Sequence, residues 1–241
     1  MGSSAGQFVP TRRSQRRVGT IAEIKQAALT HVRRGGAAAV SLRAVARDLG
    51  MSGPGLYRYY NSRDDLITAL VADAADDLGA TLELARDDAG PAPRDGLTAV
   101  SRAYRQWAKE HVAEFGLIFD APLPGFAAPP EGPTVQATRR YGRVVVGLVA
   151  DAWHQAHGAR ALTPPTPVPD LVTGGPVFTE LGIAADPALV LAVCTFWSRM
   201  HGLVTLDVYG HLVQAGVPAE MIDALYDREL ATLLSGLSGT S

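Results

Sequence analysis

The chain has 241 residues, of which 47% are hydrophobic and 19% charged, and its formal net charge is −2. That length can bury a large core, and those fractions exclude wholesale disorder and collagen-like repeats. A single cysteine, Cys194, excludes an intramolecular disulfide and a zinc–thiolate cage. Cys194 lies in the apolar run Leu189 to Trp197 and is expected to be a buried thiol. No uninterrupted apolar run reaches the roughly 18 residues of a membrane span. Residues 1–17 are charged and lack the apolar stretch of a secretory signal, so a cytoplasmic protein is expected.

Residues 1–17, rich in Gly, Ser and Arg, read as a flexible tail. From Thr20 the spacing turns helical: Ile21, Ile24, Ala28 and Val32 recur at threes and fours until Gly35-Gly36 breaks the helix. Ser41 is positioned to cap a helix over Leu42–Leu49, with Leu42, Val45, Ala46 and Leu49 facing inward and Gly50 closing it in the left-handed region. Ser52 caps a third helix, whose first turn holds Gly53-Pro54 and which carries Leu56, Tyr57, Tyr59 and Tyr60. Ser62 and Asp65 resemble a capping box that opens a longer helix, Arg63 to about Asp88. Further helices are expected from about Arg94 to Glu114, Thr134 to His157, Pro187 to Leu212 and Pro218 to Leu234. Two proline-rich stretches, Pro122–Pro133 and Pro164–Pro176, read as long loops. No run alternates like a half-buried strand, so the fold class is all-α, with nine or ten helices.

Charge is unevenly spread. Residues 12–58 hold ten basic side chains (Arg12, Arg13, Arg16, Arg17, Lys25, Arg33, Arg34, Arg43, Arg47, Arg58) against Glu23 and Asp48, about +8. The rest holds twelve basic and twenty-two acidic residues, about −10. A basic module on an acidic body points to a polyanionic partner. Nucleic acid fits better than a membrane surface, because no basic amphipathic helix with large apolar residues occurs there.

Two short helices joined at Gly50 form a helix-turn-helix pattern. A helix that enters the major groove needs a small or polar leading face, here Ser52, Gly53, Pro54 and Gly55. Groups that grip phosphates must flank it, here Tyr57, Tyr59 and Arg63. A plain helical hairpin would share that spacing. The string SLRAVARDLGMSGPGLYRYYNSRDDLI (Ser41–Ile67) goes further, with Ala46, Leu49-Gly50, Leu56-Tyr57, and a basic residue ahead of Leu66, in that order. Over Thr20–Leu70 the chain resembles the DNA-binding domain of the TetR family of transcriptional regulators. The resemblance implies that Tyr57 and Tyr59 contact phosphates, that Arg63 clamps one where Lys is usual, and that Arg43 reaches a base edge or a phosphate. Gly53 and Gly55 stand where larger polar residues are common. Base readout is therefore expected to lean on Arg43, Ser52, DNA shape, or the N-terminal arginines in a minor groove.

The resemblance divides the chain into a flexible Arg-rich tail (1–17), a helix-turn-helix domain (18–63) and a helical ligand-binding and dimerisation domain (64–241). A second local likeness, FWSRMHGLVTLDVYGHL (Phe196–Leu212), resembles the Trp-x3-His-Gly (WHG) pattern of a C-terminal domain in a subgroup of such regulators. Trp197, His201 and Gly202 fill its positions. Trp197 and His201 share a helix face, and Gly202 would let another helix approach. Trp197 could fill the core while His201 bonds a carbonyl, or the two could line a pocket. With them, Trp107, His111, Phe115, Phe119, Tyr141, Val145, Leu148 and Trp153 are candidate lining for an apolar cavity, each equally suited to a core role. The implied effector is a small hydrophobic or aromatic molecule.

One three-helix reader covers few base pairs, so a homodimer is expected on a pseudo-palindromic double-stranded operator, with half-sites about 34 to 36 Å apart. The dimer face is assigned to Pro187–Leu212 and Pro218–Leu234. An effector that fits one body conformation would move the helix Arg63–Asp88 and relieve repression. Two other classes are weighed beside this. Asp151, His154 and His157 recur at threes on one helix and could ligate a metal in a helical enzyme. No Gly-x-Ser-x-Gly or phosphate-cradling loop accompanies them, and His111 and Asp120 have no nucleophile nearby, so neither catalysis nor a cofactor is expected. A helical protein whose basic end binds nucleic acid nonspecifically, or binds RNA, is the other class; the aromatic strand motifs of single-stranded RNA binders are absent.

Overall fold

A computed structural model of the protein describes residues 12–120, 132–158, 175–183 and 187–237. Every regular element among them is helical, in agreement with the all-α reading. In chain order these are α1 (Arg12–Gly35), α2 (Leu42–Asp48), α3 (Gly53–Tyr57), α4 (Arg63–Asp87), α5 (Pro93–Glu110) and α6 (Val112–Phe119). There follow α7 (Pro133–His157), α8 (Gly175–Glu180), α9 (Pro187–Val208), α10 (His211–Gln214) and α11 (Ala219–Leu237). Most of the two proline-rich stretches, 122–131 and 164–174, lies outside the described residues.

Local chemistry sets many of the boundaries. The turn after α2 is a Schellman motif: the Met51 N–H donates to the Ala46 carbonyl at 2.8 Å and the Gly50 N–H to the Arg47 carbonyl at 3.1 Å, with Gly50 at φ 63°. Ser52 Oγ accepts from the Gly55 N–H at 3.2 Å, and Ser62 Oγ from the Asp65 N–H at 3.0 Å, capping α3 and α4. Ser41 stands at the N-cap position of α2, but its side chain makes no cap bond.

Other expectations are corrected. Helix α1 begins at Arg12, inside the stretch assigned to a tail. The helix expected through Glu114 breaks at His111 (φ −124°, ψ 48°), whose ring stacks on Trp107 and whose Nδ1 lies 3.0 Å from the Trp107 carbonyl. A side chain bound to its own preceding turn competes with continuation of the ladder. Gly210, at φ 70°, ends α9 early and starts the separate turn α10. Cys194 is exposed, not buried: Val193 and Phe196 point inward, and the helical period carries position 194 outward.

Two apolar cores result. The N-terminal core joins Ile24 and Ala28 of α1, Val45 of α2, Leu56 of α3 and Leu66, Ile67 and Leu70 of α4, with Ala113 and Leu117 of α6 packed against it. The larger core is shared by α4, α5, α6, α7, α9 and α11, with Phe178 of α8. Helix α4 contributes buried residues to both and links them, and α6 bridges them as well. Helix α4 runs close to α7 because position 79 has no side chain; a Cβ there would lie 2.7 Å from Cδ of Arg140. The Arg140 guanidinium forks onto Glu83 at 3.0 and 2.6 Å and holds that carboxyl below its usual range.

Trp107, 3% exposed, ties α5 to α4 by donating its indole N–H to Asp77 at 2.7 Å. Trp107→Phe removes that bond and part of the buried ring, and should lower the unfolding free energy by about 2 kcal/mol. Chemical denaturation checks this; an unchanged midpoint would show that the bond contributes nothing.

By length and composition α9 alone among the described helices would suit a membrane, with mean hydropathy 1.4. It is nevertheless tied into the body, Arg199 pairing with Glu229 of α11 and Asp207 with Arg105 of α5 at 2.8 Å. Only 33% of its apolar window is buried within the chain.

Candidate nucleic-acid interface and ligand cleft

Helix α3 is short, and its leading face is nearly bare. Among the described residues no neighbouring group lies within 4 Å of where a Cβ on Gly53 would stand, whereas one on Gly55 would approach Ser52 Oγ at 3.0 Å. Gly55 therefore serves the cap, while the surface at Gly53 is open beside the exposed Pro54 and Ser52. Tyr57, 47% exposed, presents its hydroxyl from the end of α3. Tyr59 is half-buried, with the Arg17 guanidinium 5.2 Å from its ring centroid. Arg43 is exposed in the first turn of α2.

Arg63 is differently engaged. Its Nε donates to the Val40 carbonyl at 3.0 Å and a terminal nitrogen donates to the Ala37 carbonyl at 2.9 Å. The remaining terminal nitrogen lies 3.6 Å from Asp64. The fork that would grip a phosphate thus pins the connection between α1 and α2, and the geometry makes Arg63 a positioning residue first.

Ion pairing separates the two halves of the molecule. In the body, Arg102 meets Asp227, Arg105 meets Asp207 and Asp223, Arg139 and Arg143 meet Glu180, and Arg140 meets Glu83. In the N-terminal unit, Lys25 and Arg33 pair with the body residues Asp73 and Glu114, at 2.7 and 2.9 Å. His31 holds Asp48 at 2.7 Å, so the acid of α2 is bonded to α1. Arg43, Arg47 and Arg58 are exposed and have no acidic partner among the described residues. Arg43 and Arg47, four apart on α2, share a face. Sequence reading counted Arg47 and Arg58 in the charge but did not assign them to the site, because pairing is a matter of coordinates.

A cleft of about 1200 Å³ opens between the N-terminal unit and the body. Val32, Arg33 and residues 35–38 line it from one side, with Ile67 and Val71 of α4; Leu117, Ile118 and Phe119 of α6, Tyr141 and Val145 of α7, and Trp197 of α9 line the other. Four of the ten expected lining residues are therefore there: Phe119, Tyr141, Val145 and Trp197. Trp107, Phe115 and Leu148 are core residues, 3%, 0% and 8% exposed. His111 stacks on Trp107, and Trp153 packs on His157 at 4.2 Å. His201 stands a layer behind, stacked on Trp197 at 5.4 Å and sharing a 2.6 Å hydrogen bond with the Tyr104 hydroxyl, not a carbonyl. Burial pushes its pKa down, favouring the neutral ring.

Few polar groups interrupt this lining. The Tyr209 hydroxyl donates to Asp120 at 2.7 Å, and its pKa is raised by burial and then by that carboxylate. Gly116 leaves room for the pair, since a Cβ there would lie 2.7 Å from an Asp120 oxygen. Burial pushes the Tyr141 hydroxyl up to about 12. Thr134 Oγ1 is buried with no hydrogen-bond partner. Sequence reading missed Asp120, Thr134 and Tyr209 as lining, because they converge from three separate segments. Asp151 and His154 are exposed, His157 is held against Trp153, and among the described residues no three metal-capable side chains converge.

Comparison with known proteins agrees with this geometry. Residues 24–70 match the family model described as bacterial regulatory proteins, tetR family, and residues 97–233 match that of the tetracyclin repressor-like C-terminal domain. The HTH-type transcriptional regulator Rv1816 of Mycobacterium tuberculosis is 37% identical over 177 residues, which cover 73% of this chain and 74% of that protein. A second M. tuberculosis protein, described as an uncharacterized HTH-type transcriptional regulator, Rv0681, is 29% identical over 78% of this chain and 69% of its own length. The crystal structure of the regulatory protein SCO4313 superimposes with a TM-score of 0.72 at 29% identity, over 94% of this chain and all of that one. A TetR-like regulator from Rhodococcus sp. RHA1 shares the fold, with a TM-score of 0.57 at 16% identity over 96% of this chain and 100% of its own. A three-helix reader with bare leading face and free arginines, carried on a helical body and matched along both parts, identifies the chain as a member of the TetR family of helix-turn-helix transcriptional regulators.

Proposed function

We propose that the protein is a homodimeric repressor of a pseudo-palindromic operator, released when a small apolar molecule enters the cleft. The observation that carries the reading is the contrast in pairing: Arg43, Arg47 and Arg58 are exposed with no acidic partner among the described residues, while most arginines of the body are held by acids. Cations left unpaired on a folded surface gain affinity by displacing counterions from a duplex. Arg43 reaches a base edge, Tyr57 and Tyr59 reach phosphates, and the small face Ser52–Gly55 allows close approach. The reader extends past residue 63 to Leu70, because the first turns of α4 complete its core. Such a regulator works in the cytoplasm, where it meets the chromosome.

The partner copy covers α9 and α11. Leu191, Thr195, Ser198 and Leu206 are exposed on α9 at helical spacing, with Gly202 between them, and Met221 is 58% exposed on α11. Among the described residues no neighbouring group comes within 4 Å of where a Cβ on Gly202 would stand, so the close approach this glycine permits is left to another molecule. An effector between α6 and α7 would move α6, and the Arg33–Glu114 pair would carry that shift to α1.

The test is selection from a random duplex pool at about 150 mM salt. A palindrome with half-sites one turn apart supports the reading; salt-sensitive retention without a motif leaves a nonspecific polyanion binder. The cleft has its own test. Gly142 lines it, and a Cβ there meets only Val177 at an ordinary 3.6 Å. Gly142→Leu should therefore raise stability by about 1 kcal/mol through helix propensity while intruding on the cavity. Its affinity for the apolar dye Nile red should fall at least tenfold; unchanged dye binding would put the dye elsewhere.

A further inference from the structure

The first two turns of α1 hold the arginines that the sequence offers to a minor groove, and the repressor reading assigns them no contact. Every described side chain from 12 to 19 is exposed, Val18 to 67%. The segment carries four arginines, Arg12, Arg13, Arg16 and Arg17, at the positive end of the helix, with no acidic residue in the first turn. The helix dipole and the like charges one turn apart both oppose helix formation there. Arg12 and Arg16 have no acidic partner among the described residues, and Arg17 lies over the ring of Tyr59. A helical end with little packing and no compensating charge is marginal on its own. The Arg17–Tyr59 contact nevertheless holds it beside the helix-turn-helix. From Thr20 back to Arg12 it projects about 12 Å, the rise of about three or four base pairs.

We propose that residues 12–19 form a second nucleic-acid surface: a helical arm that lies along duplex phosphates flanking the half-site, becomes firmly helical there, and adds affinity without adding sequence preference. This rests on the repressor reading. Phosphates beside the arm remove the repulsion among its arginines and supply the negative charge that a helix N-terminus favours. Duplex DNA is preferred over an acidic protein as the partner because the arm is anchored on Tyr59, next to the reading helix.

The experiment compares the full-length protein with the double variant Arg12→Ala/Arg16→Ala on the selected operator across a salt series. Each lost phosphate contact lowers the slope of log affinity against log salt by about 0.9, so the slope should fall by about two per subunit. Affinity at about 150 mM salt should drop at least tenfold, with the ranking of operator variants unchanged. Trimming the duplex to the ends of the half-sites should weaken the native protein to the same degree and leave the double variant unaffected. Amide exchange at residues 13–19 should slow on the long duplex only. An unchanged slope, equal sensitivity of both proteins to trimming, or an altered ranking would overturn the proposal; so would slowing by polyglutamate but not by duplex, which would point to an acidic protein. If the native chain selects no operator, the repressor reading itself fails, and that is seen before any variant is made.

Discussion

Arg63→Ala should destabilise the N-terminal unit by about 2 kcal/mol and weaken binding to every DNA sequence, the two effects appearing together. The substitution deletes two charge-assisted bonds, to the carbonyls of Val40 and Ala37, at a side chain that remains 35% exposed, so water recovers part of the loss. The freed connection between α1 and α2 would let the helix-turn-helix shift relative to α4, and phosphate contacts depend on that register. Arg63→Lys separates the roles. A lysine keeps the charge that a phosphate needs but cannot span both carbonyls, so its stability should stay closer to that of the alanine variant. Denaturation of the N-terminal unit beside operator titration reads both. A stable Arg63→Ala protein that no longer binds DNA would return Arg63 to the phosphate.

Gly202→Glu should turn the dimer into a folded monomer and lower operator affinity at least a hundredfold. The space around position 202 is open among the described residues, so the variant itself should fold; a carboxylate on each copy would meet the opposing helix where a close approach needs no side chain. A dimer holds its second reader over the second half-site at high effective concentration, and a monomer loses that advantage. Sedimentation gives the mass, and titration on full operator and isolated half-site gives the affinities. Half-site binding should be nearly unchanged. A Gly202→Glu protein that still sediments as a dimer would move the interface away from α9.

The N-terminal unit was largely legible in the sequence because its features are local. Gly50 closes α2 through bonds that span six residues, and Ser52 and Ser62 cap the helices that immediately follow them. The cleft was legible only in part. Tyr141 and Val145 fall four apart on α7 and both reach it, yet Leu148, on the same helix, faces the core. The difference arises from which neighbour covers each face. The misjudged thiol has the same origin: an apolar run such as Leu189–Trp197 looks buried all round, but Cys194 is exposed on α9, at the wall of the cleft.

Short-range chemistry therefore decided a good deal on its own. The helical period, the caps, the Gly50 turn and the basic N-terminal segment on an acidic remainder all follow from residues within a few positions of one another. They suffice for the all-α class and the helix-turn-helix. Tertiary structure alone decided which charges are satisfied. Arg63 is drawn to carbonyls 23 and 26 residues earlier, and Arg33 is matched by Glu114 81 residues later. Arg43 and Arg47 have no acidic partner among the described residues, and the carboxylate of Asp48 is held by His31. It also decided that Asp120, Thr134 and Tyr209 share one cavity. The energy of a charge or a buried hydroxyl depends on what stands within a few ångströms of it, and packing between distant segments sets that distance.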